Sequence, residues 1–400
     1  MTTRLAGRRV VLGVSGGIAA YKAVEVCRRL VDAGAHVSPV MTADATRFVG
    51  EVTFSALASE KVRTSLWDEA EPIPHTRLGQ SADVIVVAPA TARVIGSYVA
   101  GISDDLLLAT LLATRAPVVV CPAMHTEMWE HPAVQDNIAT LRRRGVTVVD
   151  PAVGRLAGGD SGAGRLAEPD DIVFAVEQAL TPQDLAGRRV VVTAGGTREA
   201  VDPVRFLGNR SSGKQGYALA VEAASRGAEV TLVSTVDRWA PASVLVERVA
   251  SAAEMEHAVL AAASSADAVV MAAAVADFRP KEPAEQKIKK GDGVPDVVLE
   301  PTPDILAALG ARKPKGQVLV GFAAETHMVA EQAQAKLKRK NLDLIVANDV
   351  TLPGAGFEHE TNRVDVLSAD GSVKNVPLTD KRDVARIVLD AVVDLLGAAT

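Results

Sequence analysis

The chain opens twice. Leu5-Ala6-Gly7-Arg8-Arg9-Val10-Val11 returns as Leu185-Ala186-Gly187-Arg188-Arg189-Val190-Val191. Each copy runs into a glycine turn, Gly13-Val14-Ser15-Gly16-Gly17 in the first and Thr193-Ala194-Gly195-Gly196-Thr197 in the second. Each then gives a helical stretch and a further apolar strand, Ala35–Met41 and Ala228–Ser234. Strand, glycine turn, helix and parallel strand make the unit that receives phosphorylated ligands at a helix N-terminus. Two such openings predict an α/β protein of two doubly wound, Rossmann-like domains with separate ligand sites. Were the repeat a coincidence of two βα starts, both would still be α/β.

Four hundred residues suit two domains better than one. The chain is 48% hydrophobic yet only 3% aromatic, so its core must be Val, Ala, Leu and Ile, the composition of buried parallel strands. A net charge of -6 gives no basis for bulk nucleic-acid affinity. Met1-Thr2-Thr3-Arg4 leads straight into a strand with no signal peptide, and no apolar run is long enough to span a bilayer. Cys27 and Cys121 are the only cysteines, which excludes a disulfide framework or a cysteine zinc site and predicts a reducing, cytoplasmic setting.

Periodicity places first-domain strands near Arg9–Val14, His36–Met41, Asp83–Ala88, Pro117–Cys121 and Val146–Val149, with helices near Ile18–Ala33, Arg93–Thr114, Pro132–Arg144 and Ile172–Leu180. Glycine-rich Val153–Glu168 reads as a mobile flap. The first domain is expected over residues 1–180, a linker over 181–186 and the second domain over 187–400. There, strands are expected near Arg189–Thr193, Glu229–Ser234, Ala268–Ala272, Val318–Phe322 and Leu344–Ala347, the third read on through Ala276 where it is taken to lead into Asp277. Helices are expected near Gly216–Arg226, Ala252–Ser264, Met328–Lys340 and Lys381–Leu396, with a β-hairpin turning at Asp370-Gly371. Polar, proline-broken Pro280–Pro303, with Lys281, Lys287, Lys289 and Lys290, reads as a loop reaching over a ligand.

Neither glycine turn has the G-x-G-x-x-G spacing of a dinucleotide site, and the first domain's second strand ends in Met41-Thr42, not an acid. This disfavours a nicotinamide oxidoreductase. Ser15 and Thr42 suit a single phosphate, as in flavin mononucleotide. Gly208-Asn209-Arg210-Ser211-Ser212-Gly213-Lys214-Gln215 approaches a Walker A motif but lacks the final Ser or Thr for magnesium. With Arg205 and Arg210 nearby, Ser211, Ser212, Gly213 and Lys214 at a helix start still form an anion site; a solvated helix cap is the plainer alternative.

His75, between Pro74 and Thr76, is placed on a rigid loop and is a candidate general base; a surface loop histidine fits the residues equally well. Met124 and His125 follow a buried strand and would face the site, His125 able to hold a carboxylate. Asp277, at a strand end, could hold Mg²⁺ against phosphates. Lys287 and Lys289, and Lys336 and Lys340 one helical turn apart, could bind a triphosphate.

Taken in order, Gly13-Val14-Ser15-Gly16-Gly17-Ile18, the loop at His75, Ala88-Pro89-Ala90-Thr91, Gly101-Ile102-Ser103-Asp104-Asp105-Leu106 and Pro122-Ala123-Met124 resemble the flavin-dependent phosphopantothenoylcysteine decarboxylases. Asp202-Pro203-Val204-Arg205, Asn209 to Lys214, Ala274-Val275-Ala276-Asp277, Lys287 to Lys290, Gly321 to Thr326 and Asn341 to Asp349 resemble the phosphopantothenate–cysteine ligases. The chain resembles the bacterial fusion of the two. The resemblance implies that the second domain activates 4′-phosphopantothenate with CTP and Mg²⁺ as an acyl-cytidylate that cysteine then attacks. Asn209 would stabilise the acyl intermediate, with Lys287 beside it, and Asp277, Lys287, Lys289, Pro303, Asp304, Ile305, Phe322, Lys336 and Lys340 would contact CTP or substrate. It implies that the first domain holds FMN through Ser15, Gly16, Gly17, Ile18, Thr42, Pro89, Ala90 and Thr91. That domain would oxidise the cysteine thiol carbon of 4′-phosphopantothenoylcysteine, lose CO₂ and reduce the product to 4′-phosphopantetheine, with His75 as catalytic histidine. Trimers of the first domain and dimers of the second would combine as a homododecamer.

This sequence departs from that pattern in places. His125 stands where the family often has the Asn that binds the departing carboxylate. Gly158 stands at the flap position of the cysteine that protonates the reduction intermediate, and neither Cys27 nor Cys121 matches it. Arg93 replaces an Asn near the flavin, and Arg210 a His. The lost flap cysteine keeps a second reading open, an active ligase carrying a non-catalytic FMN-binding scaffold or regulatory domain.

Overall fold

The structure, a computed structural model, describes residues 4–67, 73–289, 296–325, 329–349, 354, 356 and 358–398. Lys290 and Thr326, named in the motifs above, and Met328, where a helix was expected to begin, lie outside the described residues. The chain divides into two compact units, Met1–Pro182 and Gln183–Thr400.

The first unit runs β1 (Arg9–Val14), α1 (Ala20–Asp32), β2 (His36–Met41), α2 (Glu51–Leu57), α3 (Pro74–Ser81), β3 (Val84–Ala90), α4 (Ala92–Ala100), α5 (Leu106–Ala113), β4 (Val118–Pro122), α6 (Thr126–Trp129), α7 (Pro132–Arg143), β5 (Thr147–Val148), β6 (Ala152–Arg155), β7 (Ser161–Arg165) and α8 (Pro169–Ala179). Five parallel strands lie in the order β2-β1-β3-β4-β5. Alternate strand residues face opposite layers: Val10, Leu12, Val84 and Val86 pack with Cys27, Leu30, Ile172 and Val176, and Val11, Ile85 and Val87 with Leu107, Leu111 and Ile138. Burial on both faces is why β3 reads as unbroken apolar sequence. The order reverses between β1 and β3, so their carboxyl ends form the crevice where such folds bind ligands.

Two expectations are corrected here. The single helix expected over Arg93–Thr114 is two helices. Gly101, left-handed at φ 73°, ends α4, and the Asp105 carboxylate caps α5 by accepting from the Leu108 amide. His75 is not on a loop but in the first turn of α3, where Pro74 starts the helix.

The second unit runs β8 (Arg189–Ala194), β9 (Arg198–Ala200), β10 (Phe206–Gly208), α9 (Lys214–Ser225), β11 (Glu229–Ser234), β12 (Val244–Arg248), α10 (Ala252–Ala263), β13 (Ala268–Met271), β14 (Phe278–Pro280), β15 (Leu299–Pro301), α11 (Ile305–Arg312), β16 (Val318–Glu325), α12 (Val329–Arg339), β17 (Leu344–Asp349), β18 (Thr361–Ser368), β19 (Val373–Asp380) and α13 (Lys381–Ala398). The main sheet has the order β12-β11-β8-β13-β16-β17-β18-β19, with β18 and β19 antiparallel. Its six parallel strands follow the 3-2-1-4-5-6 pattern of dinucleotide folds, with the switch point between β8 and β13. The strand expected at Ala268–Ala272 is β13, Ala268–Met271, and it does not run on through Ala276 to Asp277. Beyond it the Ala273 and Ala276 amides donate to the hydroxyls of Thr193 and Thr197, both at 2.9 Å, instead of to a strand ladder. Asp277 therefore sits past this irregular stretch and is exposed. Asp184 is tied to the second unit through Arg226, and Leu185 is fully buried there.

The repeated opening has one structural meaning in both units. An aspartate just ahead of the neighbouring strand, Asp83 or Asp267, accepts from the Arg9 or Arg189 amide at 2.7 Å and pairs with Arg8 or Arg188. Gly7 and Gly187 take left-handed φ values of 72° and 73° to allow the turn. This latch sits at the amino ends of the strands, away from the crevices. Among the described residues no helix is long and apolar enough to cross a membrane.

Candidate functional site

A cavity of about 800 Å³ opens at the β1/β3 switch point. Gly16, Gly17, Ile18, Thr91, Met124 and His125, all expected from sequence, line it together with Lys22, Arg93 and Arg165. Helices α1 and α4 both begin at this cavity with no side chain capping them; the first amides of α4 face an anionic ligand unspent, whereas at α1 the Ala20 and Lys22 amides donate to the Gly17 and Ala19 carbonyls. The backbone is bare here for a reason. A Cβ on Gly16 would lie 2.2 Å from that of Asp44. A glycine turn, the open start of α4 and apolar Ile18, Met124 and Met128 fit a phosphate joined to a flat apolar ring.

Ser15 and Thr42 act behind this surface. Ser15 Oγ donates to the Pro89 carbonyl (2.7 Å) and accepts from the Thr91 amide (3.1 Å), joining the ends of β1 and β3. Thr42, 2% exposed, accepts from the Ala45 amide. Both fix the loops and do not line the cavity, nor do Pro89 and Ala90. Arg93 lines it and pairs with Asp105 at 3.1 Å. His75 does not line it; its Nδ1 is buried with no hydrogen-bond partner among the described residues.

The glycine-rich segment is a hairpin, β6 with β7, laid on the chain that leaves β4. The Met124 amide donates to the Gly164 carbonyl at 3.0 Å. A Cβ on Gly164 would fall 2.2 Å from the Met124 carbonyl, and one on Gly162 2.3 Å from Thr126 Oγ1. At the hairpin tip Asp160 meets His125 Nε2 at 3.1 Å, while Glu127 meets Nδ1. The Glu127 carboxylate raises the imidazole above its ordinary range.

No thiol is near. Cys27 and Cys121 are fully buried in the core, and burial pushes Cys27 up to about 11 and Cys121 higher still. The shift from 9.0 to about 11 leaves Cys27 with roughly a hundredfold less thiolate at neutral pH. Neither cysteine should alkylate with iodoacetamide in the native protein and both should after unfolding, which intact-mass spectrometry reads directly. Rapid native labelling of either would contradict the burial.

In the second unit, Asn209 sits over the β8/β13 switch point. Its Nδ2 donates to the carbonyls of Ala274 (3.3 Å) and Val275 (3.1 Å), which sets the amide's orientation. Gly196 allows the approach, since a Cβ there would be 2.5 Å from the Asn209 carbonyl. Ser211, Ser212, Gly213 and Lys214 lead into α9 and line a cavity of about 90 Å³ with Phe322, Asn348 and Lys381. Lys381 went unnoticed in the sequence because nothing marks the first residue of α13. It is 4% exposed, and burial, with Lys214 adding repulsion, pushes it down to about 8.

The expected cations divide. Arg205 is no free anion ligand: it pairs with buried Asp202 at 2.9 Å and donates to the Ile288 carbonyl. Asp202 also accepts from the Ile288 amide, so this pair clamps the lysine loop between Lys287 and Lys289, both of which are exposed. Lys340 pairs with Asp304 at 2.8 Å, and Asp304 caps α11. Ile305, 2% exposed, belongs to the core and not to a ligand surface; Pro303 accepts the Ile305 amide.

The chain is similar to known proteins along its whole length. The family model described as Flavoprotein matches residues 1–181, and that described as DNA/pantothenate metabolism flavoprotein C-terminal domain matches residues 185–396. The coenzyme A biosynthesis bifunctional protein CoaBC of Mycobacterium tuberculosis is 50% identical over 410 residues, covering 98% of each chain. That of Bacillus subtilis is 48% identical over 398 residues, again 98% of each. The crystal structure of a CoaBC C-terminal domain is 42% identical and covers 54% of this chain and 99% of its own, with a TM-score of 0.47.

Proposed function

This chain belongs to the family of coenzyme A biosynthesis bifunctional proteins, and we propose that its two units divide the family's two reactions between the two crevices. The protein is a bifunctional enzyme, a phosphopantothenoylcysteine decarboxylase and a phosphopantothenate–cysteine ligase in one flavoprotein chain. The observation that carries this reading is that the likeness spans both units at once, 98% of the chain.

The second unit ligates. A carboxylate must attack an anionic triphosphate, so the step needs cations and a divalent metal to screen the approach. The Asp202–Arg205 clamp presents Lys287 and Lys289 for this, with CTP the nucleotide and Mg²⁺ held by exposed Asp277 and the phosphates. Phe322 and the Ser211–Lys214 turn line the adjoining cavity. Asn209, its nitrogen fixed on two carbonyls, stands by to stabilise the acyl-cytidylate until cysteine attacks.

The first unit decarboxylates. FMN would be held in the β1/β3 cavity by the glycine turn and the uncapped start of α4 for its phosphate, and by Ile18 and Met124 for its apolar ring. When bound, it accepts electrons from the substrate's thiol carbon and later returns them. Lys22 and Arg165 share the Glu168 carboxylate at 3.1 and 3.3 Å, so the trio leaves one net positive charge for the substrate's anionic groups. His75 lies outside this cavity, which supports a site shared between subunits of a trimer, another subunit's His75 completing it. Trimers and ligase dimers would close as a homododecamer.

The test supplies FMN and 4′-phosphopantothenoylcysteine without nucleotide, and separately 4′-phosphopantothenate, cysteine and CTP. Release of CO₂ in the first mixture, and of CMP and pyrophosphate in the second, is the expected result. Ligation without CO₂ from FMN-loaded protein would replace this reading with the ligase on a flavin scaffold, which Gly158 favours.

A further inference from the structure

The reductive half of decarboxylation needs an acid, and the residue at the flap position is Gly158, which has no side chain. The structure shows what occupies that space. A Cβ built on Gly158 would lie 3.3 Å from His125 Nε2 and 2.8 Å from Asp160 Oδ1. The imidazole therefore reaches the place where a side chain at 158 would begin. We propose that His125 is a catalytic residue, the acid that protonates the decarboxylated intermediate in place of a flap side chain, and that Asp160 and Glu127 position it. The inference rests on reading the first unit as a decarboxylase.

The charges around the ring stabilise its protonated form. Nδ1 contacts the Glu127 carboxylate and Nε2 lies within ion-pair distance of Asp160, so both acids raise the ring's hold on a proton, Glu127 more than Asp160. The Glu127 carboxyl is itself held below its ordinary range, first by its own backbone amide and then by His125, which keeps the proton on the ring. The other charges at this cavity are Lys22 of α1, Arg93 of α4, Asp44, and Arg155 and Arg165 of the hairpin.

The step balances as follows. Loss of CO₂ leaves an enethiolate. Its π pair takes the Nε2 proton at the carbon that bore the carboxylate, so a C–H bond forms as N–H breaks, giving a thioaldehyde. The two electrons taken up in the earlier oxidation would return from the bound flavin to the thioaldehyde carbon, and the thiolate formed would take its proton from solvent. The neutral imidazole recovers its proton from solvent, its side chain being 40% exposed. A half-exposed side chain at the start of α6, outside the core clusters, can be exchanged without loss of fold.

The test uses FMN-loaded protein, 4′-phosphopantothenoylcysteine and mass spectrometry of the products. His125→Asn should still release CO₂ but slow reduction by about 10²–10⁴-fold, so that enethiol accumulates. His125→Asn with Gly158→Cys should restore 4′-phosphopantetheine. In D₂O the wild type should place deuterium on one face of the carbon that lost CO₂, and His125→Asn should scramble it. Independently of turnover, the His125 ring of the loaded protein, followed by NMR, should titrate lower in Asp160→Asn. An unchanged product ratio and stereochemistry in His125→Asn would overturn the proposal, as would wild type that releases CO₂ and stops at enethiol, leaving the decarboxylase reading intact. Wild type that releases no CO₂ would sink both.

Discussion

Gly16→Ala yields a first unit that folds but does not retain flavin. A Cβ at this position would lie 2.2 Å from Asp44 Cβ, 2.8 Å from its carbonyl carbon and 3.0 Å from its Cα. These are not the far end of a flexible side chain. Asp44 begins the short turn Ala45–Arg47, which Thr42 holds, so the glycine loop must move. The loop carries the amides at the start of α1, and a displacement near 1 Å at a pre-positioned site costs on the order of 100-fold. Flavin content from visible absorbance should fall to near nothing, while circular dichroism and ligation, a property of the other unit, stay as in wild type. Full flavin occupancy would remove this loop from the cofactor site.

Asn209→Ala lowers cysteine ligation by roughly 10²–10³-fold, the cost of losing one pre-aimed polar group at a developing charge. Two backbone carbonyls past β13 orient this side chain before any substrate arrives. Because Asn209 is exposed, truncation leaves no buried group unpaired, and thermal stability should barely change. Product formation and pyrophosphate release measured together separate the two half-reactions: the first should fall much further than the second. Equal losses would mean that Asn209 serves nucleotide binding instead.

The sequence carried the architecture well and the site unevenly. Strands buried on both faces announce themselves as apolar runs, which is why β1 and β8 stand within a residue of where periodicity puts them. The edge strand β12, with Leu245 and Glu247 turned to solvent, and the eight-residue α11 are too short and too mixed to announce themselves. The most conspicuous signal, the repeated Leu-Ala-Gly-Arg-Arg, proved to be a latch at the amino ends of two sheets, opposite the ends that bind ligands. The glycine turns that follow it mark the crevices correctly. Positioning roles were illegible. That Arg205 serves Asp202, that Lys340 faces Asp304, and that Ser15 spans two strand ends are matters of long-range pairing that spacing along the chain does not encode. His125 and Gly158, 33 positions apart, looked like two separate anomalies until the hairpin placed one against the other.

The hairpin's glycines carry a consequence for anyone recombining such proteins. With carbonyl and hydroxyl oxygens of Met124 and Thr126 occupying the volume where side chains at 164 and 162 would stand, the flap and the exit from β4 are mould and cast. Neither half is portable alone. A chimera that imports a cysteine-bearing flap onto this scaffold inherits His125 beneath it, two acids for one proton. Segments 124–127 and 152–165 have to travel together, as a single cassette interrupted in sequence by α7 and β5.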